Sequence, residues 1–233
     1  MKYLILSLIN FAIVLASVDT SAQQKSNPQG QQNTQAVKFN SKADTLQYAQ
    51  GVATGQWMLK NNFEVKNANL FLKGMNDVLH KKPLVINDSV IQKTISEYQL
   101  TTQIEKSKLL EEQLFATLKG KTGIGTLPNG VHYLIRRQGE GLRPSAKSNV
   151  VINAVGVLPD GTVFEDTYKK NLPITIAISS LIPGLNEAVQ LMPAGSVWRI
   201  FIPSALGYGE KGLQNLVPPF SALVYDIELI EIR

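Results

Sequence analysis

The residues that could carry chemistry in this chain are apolar and aromatic, and the usual catalytic pairs are missing. Its two histidines, His80 and His132, lie far apart, and neither has metal-ligand spacing such as His-x-x-x-His. The segment 120–123 (GKTG) lacks the upstream glycine of a phosphate-binding loop, and the sequence contains no Gly-x-Ser-x-Gly motif. The sequence therefore predicts neither a metal site nor a cofactor.

Short segments rich in proline, glycine and aromatic residues recur in order through the C-terminal half. They are 158–165 (LPDGTVFE), 181–184 (LIPG), 192–195 (MPAG), 207–209 (GYG), 217–219 (VPP) and 223–229 (LVYDIEL). This series resembles the family of FKBP-type peptidyl-prolyl cis-trans isomerases. The region before it, with 47–51 (QYAQG) and 126–133 (TLPNGVHY), resembles the dimerisation module and linker of the exported Mip-like and FkpA-like members.

The resemblance implies an α+β fold and a reaction without a nucleophile. An antiparallel sheet would wrap around a short helix, after an all-α dimerisation domain and a long linker helix. The reaction is rotation about an Xaa-Pro bond, whose barrier of ~18–20 kcal/mol comes from amide resonance. A dry, aromatic-lined cavity favours the twisted amide over the planar one, while fixed donors hold the flanking carbonyls.

The resemblance also assigns roles to single residues. Phe164 takes the place of the cavity phenylalanine, and the Ile182 N–H and the Tyr208 hydroxyl are the expected donors to the bound peptide. Tyr225 replaces a phenylalanine of the last strand, and these four are the predicted catalytic residues. Seven further residues are predicted to contact the substrate: Ala154, Glu165, Ile174, Leu181, Leu185, Leu216 and Val217.

Several of these positions differ from the family pattern. Leu185 stands where a tryptophan usually floors the pocket, Ala154 where a tyrosine is usual, and Glu165 where an aspartate is usual. Ile174 replaces a frequent phenylalanine. These changes predict a wider and less aromatic pocket. They leave open a non-catalytic chaperone or peptide-binding module on the same scaffold, and a structural protein of the cell envelope is a third alternative.

Hydrophobic spacing predicts the elements that would position these residues. Ser41 can cap a first helix, a second helix ends before Pro83, and a third begins at 87–89 and ends near Gly120. Alternating apolar residues and turn signals predict the strands, and Pro183 begins a short helix through Met192. The predicted strands cover 130–136, 150–158, 162–164, 174–178, 196–202 and 222–230.

The third helix would be about 45 Å long at ~1.5 Å per residue. Its second half is strongly charged, notably over 105–112, which favours a stalk that leaves a small helical domain. Two short helices and one end of a stalk make a thin core, so the sequence predicts a homodimer through residues 41–100. A monomeric helical domain is the alternative.

The N-terminus has the pattern of a signal peptide. Lys2 precedes an apolar stretch over 4–16 and small residues at 20–22, which predicts cleavage before Gln23 and export to the periplasm. An uncleaved membrane anchor is the alternative. The predicted domains are a signal peptide over 1–22, a disordered polar segment over 23–40, the dimerisation domain over 41–86, the stalk over 87–122 and the FKBP-type domain over 123–233.

The amino-acid composition excludes some classes of binding partner. The chain contains no cysteine, which excludes disulfides and thiolate metal sites. Its net charge of +5 comes from scattered residues and not from a basic stripe, so nucleic acid is not an expected partner. After signal cleavage no stable membrane insertion is expected. The predicted partners are unfolded or proline-containing polypeptides.

Overall fold

The structure, a computed structural model, describes residues 38–169 and 172–233. The predicted signal peptide and nearly all of the predicted polar segment lie outside these residues. The chain divides into two units after Ala49, which lies within helix α1 (Lys42–Lys60). The Ser41 hydroxyl accepts a hydrogen bond of 3.1 Å from the Asp44 N–H, which caps α1 as predicted.

Two further helices follow in the second unit, α2 (Ala68–Leu79) and α3 (Asp88–Leu118). The side chains of Asn67 and Asn87 cap them, accepting hydrogen bonds from the N–H groups of Leu70 and Val90 at 3.1 and 2.9 Å. The three predicted helices are thereby confirmed. No helix within residues 38–169 and 172–233 combines the length and the apolar character needed to span a membrane.

An aromatic stack ties the start of the second unit to α3. The ring of Phe63 lies between those of Trp57 and Tyr98, with centroid distances of 5.5 and 5.4 Å. The Tyr98 hydroxyl donates to the Asn62 carbonyl at 3.2 Å. The turn after α1 is therefore held against the first half of α3.

The C-terminal part is an antiparallel sheet with one short helix, α4 (Pro183–Leu191), which confirms the predicted α+β class. The strands are β1 (Ile124–Thr126), β2 (His132–Arg137), β3 (Asn149–Val157), β4 (Val163–Asp166), β5 (Ile174–Ala177), β6 (Val197–Ile202) and β7 (Leu223–Ile232). Their order is β1-β2-β6-β7-β3-β4, and β5 pairs with β3 beside β4. Strand β1 was not predicted, and the predicted β5 extends one residue too far, to Ile178.

The main core lies between α4 and the sheet. Leu185, Ala188 and Val189 of α4 are buried against Ile200 of β6 and Ile227 of β7, within one continuous hydrophobic cluster. The burial follows the pleat of the strands, because inward and outward side chains alternate along β3 and β7. The sheet therefore presents one face to the helix.

The second half of α3 is not the free stalk that its charges suggested. Leu118 is buried in a second cluster with Phe201 and Val224 of the sheet. Earlier in α3, the Ser107 hydroxyl is hydrogen-bonded at 3.2 Å to the hydroxyl of Ser221, which lies just before β7. Both residues are buried. Among the charged residues of this segment, the Lys106 ammonium lies 3.9 Å from Asp160 and the Lys108 ammonium lies over the Phe220 ring. A narrow apolar and hydroxyl stripe makes the remaining contact.

Candidate active site

Four of the predicted site residues line one cavity of about 430 Å³. Strand β4 contributes Phe164 and Glu165, the loop after β6 contributes Tyr208, and the loop before β7 contributes Leu216. The other residues that line the cavity are Val163, Asp166, Lys169 and Leu213. Strand β4 and the connection between β6 and β7, which are distant in the sequence, therefore converge on one opening beside the core.

The ring of Phe164 is fixed by two perpendicular aromatic contacts. Its centroid lies 5.5 Å from that of Tyr225 at an interplanar angle of 89°, and 6.5 Å from that of Tyr208 at 83°. Edge-to-face pairs of this kind are favourable because the positive edge of one ring meets the negative face of the other. Tyr225 is only 2% exposed, so it supports Phe164 from within the core.

The hydroxyl of Tyr225 donates a hydrogen bond of 2.9 Å to Oε2 of Glu165. Burial, followed by the negative charge of Glu165 and the nearby Tyr208 hydroxyl, raises the pKa of Tyr225 far above its usual value. Tyr225 is therefore a neutral donor at any physiological pH. Through this hydrogen bond it holds the Glu165 carboxylate at the cavity edge.

Gly156 is a site residue that the sequence analysis missed. It lies opposite Glu165 of β4 and Tyr225 of β7 in the sheet register. A Cβ atom at this position would come within 2.6 Å of the Phe164 ring and 3.0 Å of the Tyr225 ring. An isolated glycine within a predicted strand signals such a close approach and could have identified it.

Ala154 lies in the core and not in the cavity lining. It is 2% exposed, and its N–H donates a hydrogen bond of 2.9 Å to the hydroxyl of the buried Thr167. Leu185 is 4% exposed and belongs to the same core cluster. Both predicted substrate contacts are therefore core residues, and neither lines the cavity among the described residues.

Leu181, Ile182 and Ile174 are partly buried against this cluster and do not appear in the cavity lining among the described residues. Ile182 precedes α4 as its N-cap residue, with Pro183 at the first helical position. Within the described part of the chain, the Ile182 N–H donates no backbone hydrogen bond, so it is available to a ligand.

A paired bridge holds the tip of the Leu216 loop. Leu213 and Val217 exchange two backbone hydrogen bonds of 2.8 Å, and Val217 is 3% exposed. Leu216, between them, is half exposed at the cavity edge. Of the two predicted apolar residues, the loop thus buries Val217 and leaves Leu216 exposed at the cavity edge.

Asp166 and Lys169, which also line the cavity, form a charged turn after β4. The Lys169 N–H donates to Oδ1 of Asp166 at 3.0 Å, and its ammonium lies 3.4 Å from Oδ2. The backbone hydrogen bond from Lys169 lowers the pKa of Asp166 more than the ammonium does. This carboxylate stays ionised and serves the turn after β4.

Two family models match the chain. The model for the FKBP-type peptidyl-prolyl cis-trans isomerase matches residues 141–230, which include α4, β3 to β7 and the cavity. The model for the domain amino-terminal to that isomerase matches residues 43–135, which include the three long helices.

Relatives match both parts together. The chain is 31% identical over 210 residues to the outer membrane protein MIP of Legionella longbeachae, covering 86% of this chain and 90% of the relative. It is 35% identical over 204 residues to the FKBP-type isomerase FkpA of Aeromonas hydrophila, covering 80% of this chain and 75% of the relative.

Solved structures agree with the sequence relatives. A peptidyl-prolyl cis-trans isomerase from Pseudomonas syringae is 36% identical, has a TM-score of 0.51 and covers 55% of this chain and 94% of its own. FkpA of Escherichia coli shares the fold, with a TM-score of 0.58 at 23% identity over 84% of this chain and 99% of its own. The chain therefore belongs to the family of FKBP-type peptidyl-prolyl cis-trans isomerases and is an isomerase with an N-terminal helical domain.

Proposed function

We propose that this isomerase binds Xaa-Pro segments of polypeptides in the cavity beside Phe164 and rotates the Xaa-Pro bond there. The perpendicular contacts of Phe164 with Tyr208 and Tyr225 carry this proposal, because they hold an apolar ring at the edge of a cavity of about 430 Å³. A proline ring is apolar and rigid, and it fits against a fixed aromatic ring.

Catalysis requires the twisted amide to bind better than the planar one. Loss of resonance in the twisted state removes charge separation, so an apolar surrounding favours that state. In this proposal the flanking carbonyls are held by Tyr208, which lines the cavity, and by the Ile182 N–H, which donates no backbone hydrogen bond among the described residues. Each tenfold acceleration needs ~1.4 kcal/mol of preferential binding, which a few such contacts supply.

Binding without efficient catalysis is the second candidate function. It is favoured by Leu185, a core residue that is 4% exposed and stands where the family usually has a tryptophan. A wider floor would accept bulkier apolar segments of unfolded chains. Half-exposed Leu216 adds an apolar contact at the rim.

Two assays separate these functions. One measures isomerisation of a short Xaa-Pro peptide, and the other measures proline-limited refolding of a model protein. The isomerase proposal predicts acceleration of both at micromolar protein. Suppression of aggregation with no acceleration of either reaction would support the binding function and exclude efficient catalysis.

The helical region is the proposed dimer contact, over residues 41–100. On α2 large apolar side chains are exposed, among them Leu70 at 66%, Leu72 at 59% and Leu79 at 73%. Exposed apolar surface of this extent on one helix favours a protein partner, and a second copy is always available. The assembly would carry two sites for unfolded or proline-containing polypeptides, and the N-terminal sequence supports a periplasmic location.

A further inference from the structure

A second and larger cavity, of about 640 Å³, lies on the other side of the Leu216 loop. Helix α3 forms one wall, and the loop over 211–219 forms the other. Leu213 and Leu216 line both this cavity and the candidate site. We propose that this second cavity, here called the amide groove, binds the extended polypeptide that flanks the target proline. The inference rests on the proposed function and adds a substrate subsite to it.

The rim of the amide groove offers side-chain amides on both walls. Gln99 and Gln103 are exposed on α3, and Gln214 and Asn215 are exposed on the loop. Each amide carries both donors and acceptors, which match the alternating N–H and C=O groups of an extended backbone. Such contacts recognise the peptide backbone and not the side chains, so they suit an enzyme whose substrates differ widely in sequence.

The floor of the groove is apolar. Leu158 and Val217 are buried, and Leu110 of α3 is partly buried beside them. In an extended segment alternate side chains point to opposite sides, so one set would contact this floor while the backbone meets the amide rim. The combination favours a polypeptide over a small polar solute.

The charge of the lining points to the kind of segment that fits. Among the described residues it contains Lys60, Lys106 and Lys211 but Asp160 as its one acidic residue, a formal balance of +2 from three lysines and one aspartate. The Lys106 ammonium lies 3.9 Å from Oδ2 of Asp160, so each partly offsets the other. The two remaining lysines favour a flanking segment with acidic residues over a basic one.

Hydrogen bonds join α3 to the connection between β6 and β7 on both sides of the loop over 211–219. The buried hydroxyl pair of Ser107 and Ser221 joins α3 to the end of the loop at 3.2 Å. One turn further along, the Glu111 carboxylate accepts from the Ser204 N–H at 3.3 Å. A groove that is already formed in the free protein loses less conformational entropy on binding than a groove that must form around its ligand.

Peptides of different length distinguish binding in the amide groove from binding in the candidate site alone. An extended chain advances about 3.3 Å per residue, so a tetrapeptide spans roughly 13 Å and occupies the candidate site alone. A peptide of twelve residues with a central proline and acidic residues on both sides reaches beyond Leu216. Fluorescence anisotropy with the full chain measures the Kd of labelled versions of both peptides. A twelve-residue peptide with lysine in place of each acidic residue tests the charge preference.

The groove predicts that the acidic twelve-residue peptide binds more tightly than the tetrapeptide and the lysine peptide. The double variant Gln99→Ala, Gln103→Ala should weaken its binding about tenfold, the effect of losing two hydrogen bonds of ordinary strength. Gln92 and Gln113 are exposed on the same helix but outside the groove. The double variant Gln92→Ala, Gln113→Ala is the matched control and should bind as the unaltered chain does.

Equal Kd values for the tetrapeptide and the acidic twelve-residue peptide would overturn the inference. So would an equal loss in the groove variant and its matched control. Isomerisation of the tetrapeptide by the unaltered chain tests the proposed function separately. A chain that isomerises the tetrapeptide but gains nothing from length refutes the groove alone, whereas a chain inactive on the tetrapeptide refutes the proposed function.

Discussion

The 2.9 Å hydrogen bond from the Tyr225 hydroxyl to Glu165 joins the last strand of the sheet to the strand that carries Phe164. Family members usually have a tyrosine where this chain has Ala154, and a phenylalanine where it has Tyr225. Here the hydroxyl of Tyr225 reaches the acidic residue of β4 directly. Two altered positions, Glu165 and Tyr225, are thus connected, because the residue that supports Phe164 from within the core also fixes the carboxylate at the cavity edge.

Replacing Tyr225 with phenylalanine tests this connection. The substitution keeps the ring contact with Phe164 but leaves the partly buried Glu165 carboxylate without its donor. We expect the free energy of unfolding to fall by about 1–3 kcal/mol, measured by urea denaturation. We also expect kcat/KM for a short Xaa-Pro peptide to fall several-fold.

The control is Tyr168→Phe, which removes a hydroxyl that donates to Glu228 at 2.8 Å on an exposed surface. Its effect on stability should be smaller, because water can replace the lost donor. Equal losses in the two variants would contradict a special role for the Tyr225 contact.

Gly156→Ala should impair the site more than the fold. The added Cβ atom would lie 2.6 Å from the Phe164 ring, so the ring must move from its place between Tyr208 and Tyr225. We expect a clear loss of kcat/KM with the far-ultraviolet circular dichroism spectrum retained. In Gly74→Ala the new Cβ would meet nothing within 4 Å, so that variant should keep full activity. Unchanged kinetics in Gly156→Ala would show that the position of the Phe164 ring is not critical.

The helices and six of the strands could be predicted because their signals are local. Ser41, Asn67 and Asn87 cap their helices through side chains three residues from the N–H groups that they accept from. By contrast, β1 is a three-residue strand whose existence depends on pairing with β2. Its sequence has too few alternating residues to carry a signal.

The missed features of the site depend on partners far along the chain. Whether Tyr225 finds Glu165 depends on the pairing of β3 with both β4 and β7, which residue types do not reveal. The docking of α3 is similar, since Ser107 and Ser221 are 114 positions apart. Charge along α3 suggested a solvent-exposed helix, but a narrow stripe ending at Leu118 is enough to hold it on the sheet.

Charge on α2 should disrupt the proposed dimer. Leu72→Glu together with Leu79→Glu places two carboxylates in an apolar surface that the proposal buries between two copies. Light scattering should give the mass of a dimer for the unaltered chain and of a monomer for the variant. Lys82→Glu, an exposed change just beyond α2, is the control and should remain dimeric. A dimeric double variant would refute this contact surface.

Protonation of Glu228 at low pH should destabilise the sheet. Burial raises the pKa of Glu228, but hydrogen bonds from Tyr168, Asn153 and Arg137 outweigh it and hold the pKa below the usual 4.5. A lowered pKa in the folded state stabilises the fold above pH 4.5, and this contribution is lost as the pH falls further. The urea midpoint should therefore decline below pH 4.5, and less steeply in Glu228→Gln. Parallel declines in both proteins would assign the effect to other groups.

Isomerisation of a short Xaa-Pro peptide by the unaltered chain, Phe164→Ala and Tyr208→Phe tests the central claim most directly. We expect activity in the unaltered chain, near-complete loss in Phe164→Ala because the apolar wall is gone, and a loss of about tenfold in Tyr208→Phe from one missing hydrogen bond. Thermal unfolding of each variant confirms that it is folded. Full activity in folded Phe164→Ala and Tyr208→Phe would contradict the claim that this cavity is where the Xaa-Pro bond rotates.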